Sequence, residues 1–211
     1  MSFLIKVCGV TRPEDAELAV SLKVDAIGLN FWRGSKRYVN DDLAKEILST
    51  VPANVLKVGV FVNAHPLVVE ETLADLKLDR VQLHGDERVA DWAHIGSRKL
   101  IRALRVHDEA SLKEGLVWDA SLYICDAYSE SFGGSGKVAP WPLIADLAPR
   151  PFLLAGGLTA ETVVEGMKAT RPNGVDVASG IETGEPGVKD HAKMRQFVEI
   201  AREASRTLGL R

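Results

Sequence analysis

The sequence predicts an α/β fold in which eight parallel strands and their connecting helices close into one (β/α)₈ TIM barrel. Short apolar runs rich in Val, Ile and Leu recur along the 211 residues, and segments that resemble amphipathic helices separate them. Parallel strands that are covered on both faces have this apolar character. The eight runs are Leu4–Val7, Ala26–Leu29, Lys57–Phe61, Arg80–Leu83, Leu100–Leu104, Leu122–Cys125, Phe152–Ala155 and Gly174–Val177.

The number and order of these runs favour a closed barrel over an open sheet. Parallel strands joined by helical crossovers imply an α/β architecture, and eight repeats in so short a chain favour closure. The alternative is a doubly wound sheet, but no GxGxxG motif follows the first run. No Ser/Gly linker or low-complexity tract divides the chain. We therefore expect residues 1–211 to form a single barrel domain.

Three segments carry signals that begin a helix. Thr11 precedes Pro13 and an acidic residue, Asn40 precedes two aspartates, and Asp86 with Glu87 follows the fourth run. A side-chain oxygen at the N-cap accepts hydrogen bonds from the free amides of the first turn, and proline is tolerated at the first helical position. We predict a helix start at each of the three segments.

Composition and charge exclude several classes of protein. The chain is 46% hydrophobic and 26% charged, which is ordinary for a globular domain. Its net charge is −3 and its basic residues form no stripe, so we expect no nucleic-acid partner. No signal peptide or long apolar span is evident, so we expect no membrane partner and a cytoplasmic location. Cys8 and Cys125 form no CxxC or Cys/His cluster, which argues against a disulfide framework or zinc site.

Several reactive side chains fall where predicted strands end. Barrel active sites lie at the carboxyl ends of the strands, and Cys8, Arg37, His84 and Asp126 follow or end strands one, two, four and six. Cys125 points away from Asp126 by strand alternation, so we interpret it as packing. Ordinary explanations stay open for the others: a buried hydrophobe for Cys8, a turn aspartate for Asp126, a solvated loop for Arg37 and a structural histidine for His84.

Three glycine-rich loops follow the last three predicted strands, where barrels commonly hold a phosphate. Glycine allows backbone N–H groups to approach an anion closely, and a helix N-terminus adds partial positive charge. Any one of these loops alone is typical of a turn, but three in succession predict a phosphate site. The predicted phosphate residues are Gly134, Ser135, Gly136, Gly156, Gly157, Ser179 and Gly180.

Two charged residues, Lys6 and Asp176, interrupt apolar runs. Strands one and eight become neighbours when a barrel closes, so the two side chains are candidates for a buried ion pair inside it. Lys6 also shares a strand face with Cys8. The alternative is that one of the two charged residues faces outward.

Taken in order, these motifs resemble the phosphoribosylanthranilate isomerase family of tryptophan biosynthesis over essentially the whole chain. The shared order and spacing of the motifs make the resemblance specific. It rests on residues 6–11, 35–39, 58–63, 81–86, 126–127, 133–136, 155–158 and 174–182. The chain departs from the family pattern at Lys36, at Ala139 with Pro140, and at Ala178.

The resemblance implies an Amadori rearrangement of N-(5-phosphoribosyl)anthranilate to 1-(2-carboxyphenylamino)-1-deoxyribulose 5-phosphate. It implies that Cys8 is the general base, that Asp126 is the general acid, and that Arg37 contacts the anthranilate carboxylate. It implies no metal and no cofactor. We also place His84 and Asp176 in the predicted substrate site. The reaction requires Cys8 as a thiolate, and we expect a helix N-terminus and Lys6 to lower the Cys8 pKa.

The residues alone also fit other functions. A related histidine-pathway isomerase would be expected to use two aspartates, and a pentulose-phosphate epimerase a metal site. A phosphosugar sensor would use the glycine loops without turnover, a related aminated ribose phosphate could be the substrate, and thiol redox chemistry is the weakest alternative. The sequence does not distinguish a monomer from a homodimer.

Overall fold

The computed structural model describes residues 3–127, 140–148 and 151–210, and its eight parallel strands form a closed barrel in the order β1 to β8. This confirms the predicted fold class. The strands are β1 (Leu4–Cys8), β2 (Ala26–Asn30), β3 (Leu56–Phe61), β4 (Arg80–Leu83), β5 (Leu100–Val106), β6 (Leu122–Ala127), β7 (Phe152–Leu154) and β8 (Gly174–Val177).

The α-helices cover the outside of the strands. They are α1 (Pro13–Ser21), α2 (Asp41–Ser49), α3 (Pro66–Asp75), α4 (Glu109–Lys113), α5 (Trp141–Leu147), α6 (Val163–Thr170) and α7 (His191–Thr207). Short 3₁₀ turns occupy Val89–Asp91, Ser97–Lys99, Glu114–Val117 and Ser179–Ile181.

Alternation along each strand divides the apolar core into two layers. Outward residues such as Ile5, Val7 and Cys125 join the large cluster between the strands and the helices. Inward residues such as Ile124 and Leu153 form a smaller cluster inside the barrel. The outward placement of Cys125, which is fully buried, confirms its interpretation as a packing residue. Its strand neighbour Asp126 therefore faces the barrel interior.

The helix-start predictions have mixed outcomes. Asn40 caps α2 as predicted, because its side chain accepts a hydrogen bond from the Leu43 amide. Thr11 does not cap α1: the N-cap residue is Arg12, and the Thr11 hydroxyl instead donates to the Gly187 carbonyl. Proline at the first helical position therefore begins α1 without a side-chain cap.

The helix predicted at Asp86 and Glu87 is wrong. Two 3₁₀ turns connect β4 to β5 instead of an α-helix. The Glu87 carboxylate accepts from the amides of Asn63 and Gly85 and pairs with Arg102 at 2.6 Å, so its oxygens serve the loop and not a helical first turn. The helix prediction used only neighbouring residues, whereas Asn63 and Arg102, which contact Glu87, lie elsewhere in the chain.

Candidate active site

The barrel brings five of the predicted site residues to one cavity. Cys8, Arg37, His84, Asp126 and Asp176 line a space of about 310 Å³ at the carboxyl ends of the strands. This volume lies at the lower end of the range for small-molecule pockets, about 300–1,000 Å³. The position agrees with the general placement of active sites in such barrels.

Lys6 and Asp176 form the ion pair that the sequence predicted. They are register partners on β1 and β8, and Lys6 Nζ lies 2.8 Å from Asp176 Oδ1. Lys6 is only 1% exposed, and its ammonium group also hydrogen-bonds the Cys8 side chain. Burial lowers the pKa of Lys6, but Asp176 and Cys8 outweigh that effect and raise it to about 12. Lys6 therefore stays charged beside the Cys8 thiol.

The predicted direction of the Cys8 pKa is wrong. Burial raises the pKa of the Cys8 thiol, and the nearby Asp176 carboxylate adds to the increase. The Lys6 charge lowers it, as expected, but does not outweigh burial. Sequence reasoning identified the cation correctly and underestimated the desolvation of a thiol enclosed by strand ends.

His84 and Asp126 lie close together across the interior. His84 Nε2 is 3.5 Å from Asp126 Oδ2, and the other ring nitrogen, Nδ1, is 3.0 Å from the Gln82 side-chain amide. Gln82 is 1% exposed and also lines the cavity. Sequence analysis missed Gln82, although its place two residues before His84 puts both side chains on the inner face of the same strand.

Arg37 is held in place by a residue that was not predicted as part of the site. Its Nε and Nη2 donate to the two carboxylate oxygens of Glu182, each at 2.7 Å. The Arg37 side chain also crosses over Gly9, where a Cβ would collide with it. Arginine has five donors, so the outer edge of the guanidinium can donate to a further acceptor.

A buried lysine connects this network to the end of β1. Lys189 Nζ donates to the carbonyl oxygens of Cys8 and Ala178, at 2.7 Å and 3.0 Å, and to Glu182 Oε1 at 3.1 Å. Burial lowers the pKa of Lys189 against the opposing effect of Glu182. Burial raises the pKa of Glu182, but Arg37 and Lys189 together bring it below its ordinary value. Glu182 was visible to sequence analysis as the end of the strand-eight motif, whereas Lys189 carried no signal.

The predicted phosphate loops after β7 and β8 contact each other, but Gly156, Gly157, Ser179 and Gly180 are not among the residues that line the cavity described above. Gly156 and Gly157 have positive φ values of 84° and 65°. A Cβ at Gly180 would collide with the carbonyl oxygen of Leu158, so the backbones of the two loops are in close contact. Ser179 and Gly180 open the 3₁₀ turn after β8. Gly134, Ser135 and Gly136 lie outside the described residues.

Neither a metal centre nor a membrane-spanning helix occurs in the described part of the chain. Within residues 3–127, 140–148 and 151–210, no group of three or more His, Cys, Asp or Glu side chains is arranged to hold a metal ion. In the same part of the chain, no helix has the length and apolar character needed to cross a membrane.

Comparison with known proteins identifies the family. The model of the N-(5'-phosphoribosyl)anthranilate isomerase family matches residues 5–200. The enzyme of that name from Dechloromonas aromatica is 40% identical over 210 residues, which cover 99% of this chain and all of the relative. The one from Pelobacter propionicus is 40% identical over 201 residues, 94% of this chain and 95% of the relative.

Solved structures agree with the sequence comparison. Phosphoribosyl anthranilate isomerase from Thermotoga maritima superimposes with a TM-score of 0.86 at 35% identity, covering 95% of this chain and 99% of the other. The enzyme from Thermus thermophilus gives a TM-score of 0.86 at 31% identity, with the same coverage of both chains. The fold, the residues gathered in the cavity and these relatives together show that this chain belongs to the N-(5'-phosphoribosyl)anthranilate isomerase family.

Proposed function

We propose that this chain catalyses the Amadori rearrangement of N-(5'-phosphoribosyl)anthranilate to 1-(2-carboxyphenylamino)-1-deoxyribulose 5-phosphate in tryptophan biosynthesis. The observation that carries the proposal is the meeting of Cys8, with Lys6 beside its thiol, and Asp126 in one cavity. Family membership supports it. So does a related structure, 33% identical, in complex with reduced 1-(o-carboxyphenylamino)-1-deoxyribulose 5-phosphate.

In the first step, Asp126 donates a proton to the ribose ring oxygen as the bond between that oxygen and C1 breaks. The lone pair of the anthranilate nitrogen forms a C1=N double bond, which gives a Schiff base. In the second step, the Cys8 thiolate removes the proton from C2, the C2–H electrons form a C1=C2 double bond, and the C=N electrons return to nitrogen. The resulting enol becomes the C2 ketone when C1 takes up a proton and the C2 hydroxyl releases its proton, so that no proton is gained or lost overall. General acid and base groups held in place are sufficient for these transfers.

Lys6 supports the base in this scheme. Burial raises the pKa of the Cys8 thiol, and the Lys6 ammonium has the largest effect in the opposite direction, toward the thiolate. A cation in contact with a developing thiolate stabilises it more strongly in a desolvated cavity than in water. Asp176 fixes the ammonium in this position through its 2.8 Å hydrogen bond.

The remaining predicted residues form a proposed binding site around this pair. Arg37 is aimed by Glu182 and would bind the anthranilate carboxylate with its outer edge. His84 and Asp176 would contact the sugar from opposite sides of the cavity. The loops at Gly157 and Gly180, with the loop at residues 134–136, would hold the phosphate through backbone N–H groups.

Several broader properties also belong to the proposal. We propose that residues 1–211 act as a single domain, because strands from residues 4 to 177 complete one barrel. Cytoplasmic location follows from the biosynthetic role proposed. Both a monomer and a homodimer fit the chain; the Thermotoga maritima relative is described as dimeric.

The test is turnover of substrate generated in place, followed by the loss of anthranilate-type fluorescence. Cys8→Ser and Asp126→Asn should each reduce kcat by at least about 100-fold, because each removes one proton-transfer group. Cys125→Ala and Asp119→Asn change the same residue types outside the cavity and should leave kcat nearly unchanged.

Binding of the substrate without conversion by the wild-type protein would contradict the proposal and favour a phosphosugar sensor. Near-normal kcat in Cys8→Ser would reject Cys8 as the base.

A further inference from the structure

The inner face of β4 carries two buried polar side chains whose hydrogen bonding is incomplete. Gln82 and His84 are 1% and 8% exposed, and both line the cavity. Gln82 Nε2 lies 3.0 Å from His84 Nδ1. Within the described part of the chain, Gln82 Oε1 and His84 Nε2 are buried without a hydrogen-bond partner. Buried polar atoms usually have partners, so an exception at a cavity wall requires an explanation.

The contact between Gln82 and His84 determines which ring nitrogen carries a proton. An amide nitrogen can only donate a hydrogen bond, so the neighbouring Nδ1 must accept one. A neutral imidazole that accepts at Nδ1 carries its proton at Nε2. The Nε2–H group therefore faces Asp126 Oδ2, 3.5 Å away. Hydrogen bonds between catalytic groups often tighten when substrate binds.

This orientation makes the two oxygens of Asp126 unequal. An oxygen that faces an N–H donor is favoured as the acceptor, so the acidic proton is directed to the other oxygen, Oδ1. After that proton has moved to the substrate, the same N–H group stabilises the carboxylate that remains. With the opposite tautomer, the bare Nε2 would attract the Asp126 proton to Oδ2 and away from the substrate.

We propose that Gln82 is a positioning residue for the reaction, fixing the Nε2–H tautomer of His84 so that Asp126 presents its proton to substrate from Oδ1. The inference rests on the proposed function of Asp126 as the acid. It extends that function to Gln82, which acts on Asp126 through His84. Glutamine is suited to the role because its amide cannot itself become charged and compete for the proton.

The tautomer can be measured without turnover. ¹⁵N NMR of protein labelled at histidine distinguishes a protonated ring nitrogen from a bare one, and the signals of His84 are identified by their loss in His84→Gln. We expect wild type to show a bare Nδ1 and a protonated Nε2. In Gln82→Glu, a carboxylate would accept from Nδ1–H, and the pattern should reverse or become doubly protonated. Wild-type protein with Nδ1 protonated and Nε2 bare would overturn the proposal.

Kinetics provide the second readout. Gln82→Met has a similar size and cannot donate, so the tautomer should become mixed. We expect kcat to fall by about 10- to 100-fold, the usual cost of losing the partner that orients a functional histidine, with KM nearly unchanged. Gln196→Met, on the exposed side of α7, is the matched control and should keep both parameters. Gln82→Glu should lower kcat as well, which keeps the test open if Gln82→Met folds poorly.

The outcomes separate this proposal from the function on which it rests. A wild-type protein without isomerase activity would reject the function, while the NMR result would still decide the tautomer. An active enzyme in which Gln82→Met and Gln82→Glu both keep kcat would overturn the positioning role of Gln82.

Discussion

At the scale of single residues, burial has the largest effect on the pKa of the Cys8 thiol, and two charged neighbours act on it in opposite directions. The Lys6 ammonium lowers the pKa of Cys8 and the Asp176 carboxylate raises it, while burial raises it further. The thiolate, and not the thiol, is the nucleophile in alkylation. The rate of Cys8 alkylation at a fixed neutral pH therefore reports the balance of the two charges.

We expect Lys6→Met to slow the alkylation of Cys8 by iodoacetamide and Asp176→Asn to accelerate it. A charge within a few ångströms shifts a pKa by about one to three units, so each change should be about tenfold or more. The sign follows from the pKa direction: a higher pKa leaves less thiolate at neutral pH, and the rate in every variant should rise as pH increases. The measurement is the mass of the Cys8 peptide over time, with the buried Cys125 as an internal control.

Opposite effects distinguish electrostatics from loosening of the barrel. If both variants accelerated alkylation equally, greater access to Cys8 would be the cause, and the role of Lys6 beside the thiol would be rejected.

The sequence predicted the location of a side chain correctly where its position along a strand was enough to determine that location. Cys8, His84 and Asp126 were correctly placed at the cavity because each directly follows an apolar run, and strand alternation showed which of Cys125 and Asp126 faces inward. Lys189 was missed because its three hydrogen bonds go to partners that no local pattern reveals. The Cys8 pKa was mispredicted for a related reason, since desolvation depends on the packing of several strands at once.

At the scale of elements, the loops after β7 and β8 support the prediction that Gly157 lies in the phosphate-binding site. Gly157 has a φ of 65°, a backbone conformation that costs an L-residue about 1–2 kcal/mol. Gly157→Ala should also hinder the approach of the phosphate to the backbone. We expect KM to rise by about tenfold or more, the value of one hydrogen bond to a charged group.

Gly96→Ala is the matched control for this variant. Gly96 has a φ of 78° and open space around it, so alanine there carries a similar backbone cost far from the proposed phosphate site. The two variants should lose similar stability in urea unfolding, and Gly157→Ala alone should raise KM. If Gly157→Ala and Gly96→Ala had the same KM, the proposal that Gly157 belongs to the phosphate site would be wrong.

Prediction of elements was accurate for strands and weaker for helix starts. All eight apolar runs became strands because burial on both faces leaves a strong signal in composition. The segment at Asp86 and Glu87 has the sequence of a helix start, but its carboxylates bind Arg102 and Arg105 on β5. A capping signal depends only on neighbouring residues. Ion pairs with arginines from another strand can override it, because tertiary contacts outweigh local preferences.

At the scale of the whole molecule, the barrel is closed where its first strand meets its last. β1 and β8 are far apart in sequence and pair along four registered positions, from Leu4 with Gly174 to Val7 with Val177. Lys6 and Asp176 are one of the four pairs that join β1 to β8. Their ion pair is thus part of the closure as well as part of the proposed catalytic site, and the two roles can be separated by stability measurements.

We expect Lys6→Met to reduce the free energy of unfolding by about 3–5 kcal/mol, because it leaves the Asp176 carboxylate buried without its partner. The double variant Lys6→Met with Asp176→Asn removes both charges and should recover most of that loss while remaining poorly active. The measurement is urea unfolding at neutral pH. Because the pKa of Lys6 is raised to about 12, the contribution of its charge to the free energy of unfolding is complete below about pH 10.5 and is lost only as pH rises through about 12.

If Lys6→Met cost less than about 1 kcal/mol, the pair would have no part in closing the barrel. If the double variant were no more stable than Lys6→Met, the loss would come from the packing of the lysine stem and not from an unpaired charge.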